Sequence, residues 1–319
     1  MPLASRFISS HPGALYGKVS AYSESRWMKV IRAEAMGMCF GVRDALAAAK
    51  HLYHPERVTI HGELVHNELV HHQLLWRGFR ITAENQRDQL PATTAVLITA
   101  HGISDAERRW LAEAGKELID TTCPLVTRVH QAARKLANEG RHIIVIGKPG
   151  HVEVRGIVED LPSYDVVSNV GDVHCYDVPH IGIICQSTTP PRVAEQVRQA
   201  IVQLNPQAEV RSIDTICQPT RDRQAAVDRM LSQVQAVVVV GGRNSNNTRE
   251  LAALCQERGL PTWHVQGPDD IRPEWFAGFA TVGLTAGTST LDETISAVEE
   301  ALVALNGSEK SQPASPFPT

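Results

Sequence analysis

The sequence predicts an α/β protein built from three similar α/β domains in a pseudo-threefold arrangement. Short β-branched runs alternate with longer amphipathic segments along the chain, which is typical of parallel α/β folds. One motif also recurs: a cysteine followed at once by a helix-like stretch, at Cys39, Cys123 and Cys217, with separations of 84 and 94 residues. Three corresponding cysteines are then expected to meet at the centre of the molecule.

The individual elements follow from these patterns. Strands are predicted at 58–61, 95–99, 142–146, 180–185, 236–240 and 280–284. The run 236–240 is apolar without alternation, as expected for a strand covered by helices on both faces. Helices are predicted at 42–54, 105–114, 126–138, 192–204, 221–234, 248–257 and 291–305.

The repeat divides the chain into domains at 29–123, 124–217 and 218–305. Residues 1–28 are Ser-rich and basic, which suits a transit peptide, but they lack the apolar core of a secretory signal. We favour a flexible extension or an early assigned start. The polar, Pro-rich segment 306–319 is predicted to be a disordered tail.

Composition excludes several classes of protein. The chain is 43% hydrophobic and 21% charged, with a formal net charge of −4, so nucleic acid is not the expected partner. No apolar run approaches the roughly 20 residues that span a bilayer, and we expect a soluble, cytoplasmic monomer or homodimer. No Cys-x-x-Cys pair is present, which argues against zinc ribbons and thioredoxin-like sites. The other cysteines, Cys175, Cys185 and Cys255, are expected to be buried as small apolar residues.

The three repeated cysteines predict a metal centre. Three thiolates meeting at one point would hold a metal and leave one coordination position free, which is a catalytic arrangement rather than a closed structural one.

Each domain also carries two strand tips rich in small and polar residues. The first tips are 61–67, 147–154 and 241–248; the second tips are 99–104, 185–189 and 285–290. The offsets from the preceding cysteine are similar: 27, 28 and 28 residues for His66, His151 and Ser245, and 62, 65 and 72 for His101, Thr188 and Ser289. Because ligands of open α/β sheets bind beyond the carboxyl ends of the strands, the six tips are expected to converge over the thiols.

The tips favour an anionic ligand. Several lead into helices, whose N-termini attract phosphate, and capping boxes are predicted for Ser104 with Glu107 and for Thr290 with Glu293. No phosphate-loop or dinucleotide-binding pattern is present, so a nucleotide is not indicated. Glu153, two residues after His151, is the best candidate for a proton donor.

Taken together, these motifs resemble the family of 4-hydroxy-3-methylbut-2-enyl diphosphate reductases, which act last in the methylerythritol phosphate route to isoprenoids. The resemblance runs from about residue 28 to 305. Its elements are G-M-C-F-G-V (37–42), V-H-N (65–67), A-H-G (100–102), T-C-P-L-V-T (122–127), G-H-V-E-V (150–154), Q-S-T-T (186–189), Cys217, N-S-N-N (244–247) and T-A-G-T-S (285–289).

The resemblance implies a central [4Fe–4S] cluster held by Cys39, Cys123 and Cys217, with one iron free for the substrate's hydroxyl group. It implies that Glu153 donates a proton through the hydroxyl of Thr188 or of Ser187. The residues implied to contact the substrate are His66, His101, His151, Ser187, Thr188, Ser245, Asn246, Asn247 and Ser289. Asn246 departs from the family, which commonly has a serine at this position.

The implied reaction is a two-electron, two-proton reductive dehydroxylation that yields isopentenyl and dimethylallyl diphosphate, with ferredoxin or flavodoxin as the electron donor. One alternative is a dehydratase similar to quinolinate synthase, which also has three α/β domains and a three-cysteine cluster but needs no external electrons. A non-enzymatic iron–sulfur sensor or a structural zinc protein is another alternative. Neither the sensor nor the zinc protein accounts for tips suited to an anion.

Overall fold

The computed structural model describes residues 27–306. The strands are β1 (Lys29–Arg32), β2 (Val58–His61), β3 (Arg80–Thr82), β4 (Ala95–Ile98), β5 (Glu117–Asp120), β6 (His142–Ile146), β7 (Tyr164–Val167), β8 (His180–Cys185), β9 (Glu209–Ser212), β10 (Ala236–Val240), β11 (Thr262–Val265) and β12 (Thr281–Ala286). The helices are α1 (Phe40–Lys50), α2 (Glu68–Trp76), α3 (Asp105–Glu113), α4 (Pro124–Asn138), α5 (Val152–Val158), α6 (Pro191–Leu204), α7 (Gln218–Leu231), α8 (Asn246–Glu257) and α9 (Asp292–Ala304).

The strands form three parallel four-stranded sheets with equivalent orders: β3-β2-β4-β5, β7-β6-β8-β9 and β11-β10-β12-β1. In each sheet, the last strand of the order lies at an edge and leads directly into one of the repeated cysteines. The predicted fold class, with three α/β units, is therefore what the chain adopts.

The first strand differs from the predicted division into domains. β1 was assigned to 29–123, but it pairs in parallel with β12, from Lys29 opposite Thr281 to Arg32 opposite Leu284. In the first and second units, the edge strand that leads into the next cysteine, β5 or β9, belongs to the sheet of the unit that ends there. The strand that leads into Cys39 is β1, and it occupies the equivalent edge of the third sheet. The N-terminal strand thereby joins the first unit to the third, and the other domain boundaries stay predictions.

Two residues at the ends of the described chain also differ from the prediction. The backbone N–H of Met28 donates to Asn306 Oδ1 at 2.7 Å, and Asn306 Nδ2 donates to the Met28 carbonyl at 3.1 Å. Met28 packs in the core of the third unit. Met28 and Asn306 therefore belong to the fold. The rest of the predicted extension (1–26) and of the predicted tail (307–319) lies outside the described residues.

Helices cover both faces of each sheet. In the second unit, Ile143 and Val145 pack on the side of α4, while Ile144 and Ile146 pack on the side of α6. This two-sided burial explains the continuous apolar runs of the central strands. Among residues 27–306, no helix is long and apolar enough to cross a membrane.

The three cysteines outside the repeated motif differ in exposure. Cys185 in β8 and Cys255 in α8 are buried, as predicted, but Cys175 is exposed. The prediction is wrong for Cys175 because it lies in the loop before β8, outside the packed elements.

Candidate active site

Each repeated cysteine is the N-cap residue of a helix: Cys39 of α1, Cys123 of α4 and Cys217 of α7. None of the three side chains makes a capping hydrogen bond to its own helix. The positive end of a helix dipole stabilises a thiolate at this position. All three cysteines line one central cavity, as the repeat predicted.

The strand tips of all three units meet at the same cavity. Predicted site residues on its wall are Cys39, His66, His101, Cys123, His151, Glu153, Ser187, Thr188, Cys217, Asn246, Asn247 and Ser289. Ser245 is buried beside it, where its hydroxyl accepts a hydrogen bond from the Thr248 N–H and caps α8. The tertiary structure thus brings the predicted residues together, with Ser245 set behind the wall.

The three thiols on the cavity wall are the residues that could hold an iron–sulfur cluster. Burial raises the pKa of Cys123, and it raises the pKa of Cys217 to about 11, with Cys39 and Glu153 adding to both shifts. A compensating positive centre is therefore needed to keep these sulfurs ionised. Within residues 27–306, no group of three or more His, Cys, Asp or Glu side chains is placed to hold one metal ion. A polynuclear cluster, in which each thiolate binds a different iron, suits three thiols spread around a cavity.

The Cys123 side chain of the second unit packs against the backbone of Gly41 in the first unit. A Cβ atom on Gly41 would lie 2.5 Å from Cys123 Sγ, which is closer than van der Waals contact permits. Any larger residue at position 41 would displace this sulfur, so the glycine in the first motif has a packing role.

Three histidine rings form one wall of the cavity. The ring of His66 stacks on that of His101 with centroids 4.3 Å apart, and His151 stands edge-on to them at 5.2 and 5.8 Å. Burial and mutual repulsion lower the pKa of His101 well below its usual range and lower that of His151 to about 3. A bound anion would reverse both shifts, because it stabilises the protonated rings.

Several buried nitrogen atoms on this wall have no protein partner. His66 Nε2, His101 Nδ1 and Asn247 Nδ2 are buried and make no hydrogen bond to any residue in the described part of the chain. Because buried polar groups are usually hydrogen-bonded, these atoms are the natural contacts for an anionic ligand.

Glu63 orients one of these histidines and was missed in the sequence. Its Oε2 lies 2.9 Å from His66 Nδ1, and this bond is the largest cause of the lowered pKa of Glu63. The carboxylate can only accept, so it holds the hydrogen on Nδ1 and leaves Nε2 as the unpartnered ring nitrogen. The signal was present in the segment G-E-L-V-H-N, three residues before His66, but only the turn brings the two side chains together.

Glu153 is held by Ser187 rather than by Thr188. The Ser187 N–H donates to Glu153 Oε1 at 2.7 Å, and its hydroxyl donates to Oε2 at 2.9 Å. The Thr188 hydroxyl oxygen instead accepts hydrogen bonds from Gln186 and Asn246, each at 3.2 Å. The pairing of Glu153 with Thr188, one of the two alternatives, is therefore not formed, because the Thr188 hydroxyl is bonded to Gln186 and Asn246 instead.

Burial determines the protonation of the acid. Glu153 is 2% exposed. This burial raises its pKa to about 7, although both Ser187 bonds act in the opposite direction. The carboxyl group is therefore largely protonated below neutral pH and can act as a proton donor.

The third unit contributes neutral groups. Asn247 Oδ1 accepts a hydrogen bond from the Thr288 N–H at 3.1 Å, while its Nδ2 is buried without a partner among the described residues. Ser289 Oγ donates to the His66 carbonyl at 3.0 Å. Asn246 donates to Thr188 Oγ1 and accepts from Arg249, so the residue that departs from the family pattern joins the second and third units.

The two predicted capping boxes are incomplete. Ser104 Oγ accepts from the Glu107 N–H at 3.0 Å, but the Glu107 carboxylate binds His61 and Arg87. The Thr290 hydroxyl donates to a strand carbonyl in β10, and α9 begins at Asp292. Buried partners thus replaced the local bonds that the sequence suggested.

The chain is similar to a well-defined set of proteins. The family model described as LytB protein matches residues 30–303. The 4-hydroxy-3-methylbut-2-enyl diphosphate reductase of Anaeromyxobacter sp. (strain Fw109-5) is 34% identical over 280 residues, which cover 85% of this chain and 95% of that relative. The enzyme of the same name from Methylibium petroleiphilum is 35% identical over 282 residues, which cover 86% of this chain and 85% of that relative.

Solved structures are similar as well. The E-1-hydroxy-2-methyl-but-2-enyl-4-diphosphate reductase from Plasmodium falciparum superposes with a TM-score of 0.77 at 25% identity, covering 84% of this chain and 86% of that chain. An (E)-4-hydroxy-3-methyl-but-2-enyl diphosphate reductase, described as the terminal enzyme of the non-mevalonate pathway, superposes with a TM-score of 0.60 at 30% identity, covering 86% and 99%.

Proposed function

Because the chain belongs to the LytB protein family, we propose that it reduces 4-hydroxy-3-methylbut-2-enyl diphosphate to isopentenyl and dimethylallyl diphosphate. Membership confirms the predicted resemblance and the prediction of an oxidoreductase of isoprenoid biosynthesis. The observation that supports the specific reaction is the single cavity at which three thiols, three histidines and the buried Glu153 meet. We further propose a cytoplasmic enzyme that receives electrons from ferredoxin or flavodoxin.

Cys39, Cys123 and Cys217 are the residues that would hold a [4Fe–4S] cluster. When bound, such a cluster would supply the electrons and an iron position open to the substrate's hydroxyl oxygen. The dipoles of α1, α4 and α7 favour the ionised thiols that this requires.

The diphosphate is held by the unpartnered nitrogens of the wall. Asn247 Nδ2 donates directly, and His66 Nε2 and His101 Nδ1 are the unpartnered nitrogens of two other residues that line the cavity. Because an anion raises the pKa of the buried rings, diphosphate binding is coupled to proton uptake by His101 and His151. Anchoring this end fixes the position of the allylic hydroxyl at the other end of the substrate.

Glu153 supplies the proton that allows the hydroxyl group to leave as water. Overall, the substrate takes up two electrons and two protons, the C–O bond breaks, and one water forms. Ser187 can relay this proton, since its hydroxyl contacts Glu153 Oε2 and its side chain lines the same cavity. Its hydroxyl gives its own proton to the substrate's oxygen and accepts the proton of Glu153 in its place.

The test is anaerobic purification followed by iron and sulfide analysis, Mössbauer spectroscopy and product analysis. We expect a [4Fe–4S] cluster in which one iron site changes when the diphosphate is added, and both products to form only with a reductant. Dehydration without a reductant would favour the alternative similar to quinolinate synthase. A colourless protein with bound zinc would overturn the proposal.

A further inference from the structure

Arg223 is a buried cation without an acidic partner. It lies on α7 and is 7% exposed. Its Nε and Nη2 donate to the Gly37 carbonyl at 3.1 and 2.5 Å, and its Nη1 donates to the Pro219 carbonyl at 3.0 Å. By contrast, the buried Arg87 forms ion pairs with Glu84 and Glu107.

This arrangement needs a compensating charge. None of the carboxylates in the described part of the chain forms an ion pair with Arg223. Burying an unpaired guanidinium is costly, and main-chain carbonyls offset only part of that cost. A negative group is therefore expected close by.

The position of Arg223 indicates which group that is. Gly37 lies two residues before Cys39, and Pro219 lies two residues after Cys217, so the guanidinium links the segments that carry two of the thiols. Burial lowers the pKa of Arg223, while the nearby sulfurs of Cys39 and Cys217 are the next largest influences and raise it. The guanidinium is thus close enough to interact with these two sulfurs when a bound metal centre keeps them ionised, and Asp222 has a smaller influence in the same direction.

We propose that Arg223 is the counter-charge of the thiolate-bound iron–sulfur centre and raises its reduction potential; this rests on the proposed function. Each added electron makes the centre more negative, and a buried cation stabilises the reduced state more than the oxidised state. The same guanidinium holds the Cys39 and Cys217 segments in register. Arg223 is a positioning residue in this sense, since it acts through the centre and does not line the cavity.

The experiment compares Arg223→Gln with Arg223→Lys, which keeps the charge. The matched control is Arg141→Gln: the Arg141 side chain is 9% exposed, but it pairs with Glu139 and Glu209 and precedes β6, at the opposite end of the sheet from the cavity. Each protein is reconstituted anaerobically with iron and sulfide. The cluster content and the reduction potential are then measured by a titration followed by electron paramagnetic resonance.

We expect the Gln variant to shift to lower potential by at least about 59 mV, a tenfold change in the ratio of reduced to oxidised centre for one electron. The Lys variant should shift by less than half as much, and the Arg141 variant should match the parent. If the Gln variant loses its cluster while the Lys variant keeps it, the charge requirement is also supported.

Two results would overturn the inference while leaving the proposed function intact. One is a Gln variant that holds its cluster at the parent's potential. The other is equal loss of cluster or equal shift in the Gln and Lys variants, which would assign the effect to the carbonyl contacts alone. A parent protein that takes up no cluster would instead overturn the proposed function itself.

Discussion

The second and third units place different chemistry at the same point of one fold. The two residues that follow their cysteines by 28 positions, His151 and Ser245, are both helix N-caps. His151 Nδ1 accepts from the Glu153 N–H, and Ser245 Oγ accepts from the Thr248 N–H. Around His151 the buried groups are ionisable, whereas around Ser245 they are neutral hydroxyl and amide groups.

The difference separates proton transfer from anchoring. Burial shifts the pKa of His151 and of Glu153 toward their neutral forms, in opposite directions. Asn246, Asn247 and Ser289 of the third unit offer hydrogen bonds at any pH near neutrality. Equivalent helix ends thus provide the positions, and the side chains on them decide which unit handles protons.

The largest expected effect is at the acid of the second unit. Glu153→Gln keeps the size and polarity of the side chain but removes the transferable proton, so kcat should fall by about 10²- to 10⁴-fold. Iron content and KM should remain close to the parent's. Glu159→Gln, at the exposed end of the same helix, is the control. If the Glu153→Gln protein kept its cluster and its kcat equalled the parent's, proton transfer could not be assigned to the second unit.

The same substitution has a pH signature in the cluster-free protein. Because the folded pKa of Glu153 is about 7, against an ordinary 4.5, the folded state binds more protons than the unfolded state between these values. The free energy of unfolding of the parent protein therefore falls by on the order of 3 kcal/mol as the pH rises from 4.5 to about 7. The Glu153→Gln variant does not show this fall in stability, because glutamine does not titrate.

The measurement is denaturant unfolding of both proteins below pH 4.5 and above pH 7. The variant should gain stability over the parent only at the higher pH; the His151 contribution, common to both proteins, cancels. A difference independent of pH would contradict the assigned protonation of Glu153.

Removing the hydroxyl of Ser187 is expected to slow the reaction more than removing that of Thr188. Ser187→Ala removes the hydroxyl that contacts Glu153, and we expect kcat to fall by about 10²-fold, the low end for a positioned proton-transfer group. Thr188→Val removes a hydroxyl that contacts the third unit, and it should cost less than tenfold. Steady-state kinetics of both variants decides between them, and the reverse order would restore Thr188 as the relay.

The smallest effect on kcat is expected in the third unit. Asn247→Asp keeps the acceptor that binds the Thr288 N–H but replaces the free N–H₂ donor with a carboxylate oxygen. KM for the diphosphate should rise by about tenfold, the value of one hydrogen bond to a charged group, with kcat little changed. Asn138→Asp, at the exposed C-terminal end of α4, is the control. A fall in kcat alone would show that anchoring and chemistry are not divided between units.

The sequence was informative where burial is strongest. The six predicted strands correspond to the two central strands of each sheet, and the missed strands are the edges: β1, β3, β5, β7, β9 and β11. Central strands are buried on both faces and so require unbroken apolar runs, whereas edge strands are half-exposed and tolerate mixed residues. The short helix α5 lacked enough turns to show a period.

Site residues followed the same logic. Glu63 and Arg223 were missed because each contacts a partner that only folding brings close. For Glu63 the partner is the His66 ring across a turn, and for Arg223 it is the carbonyl of Gly37, 186 residues away. The choice between Ser187 and Thr188 depended on which side of a turn faces Glu153. Spacing along the chain carries no information on either question.

The sequence by itself determined the three units, the cysteines that head them and the tip residues, because regular spacing and helix caps depend on neighbours in the chain. Only the tertiary structure decided that β1 belongs to the third sheet, that Ser187 contacts the acid and that Arg223 joins the segments carrying Cys39 and Cys217. The physical reason is that burial and partner geometry, which set pKa values and the demand for counter-charges, arise only when distant segments pack together.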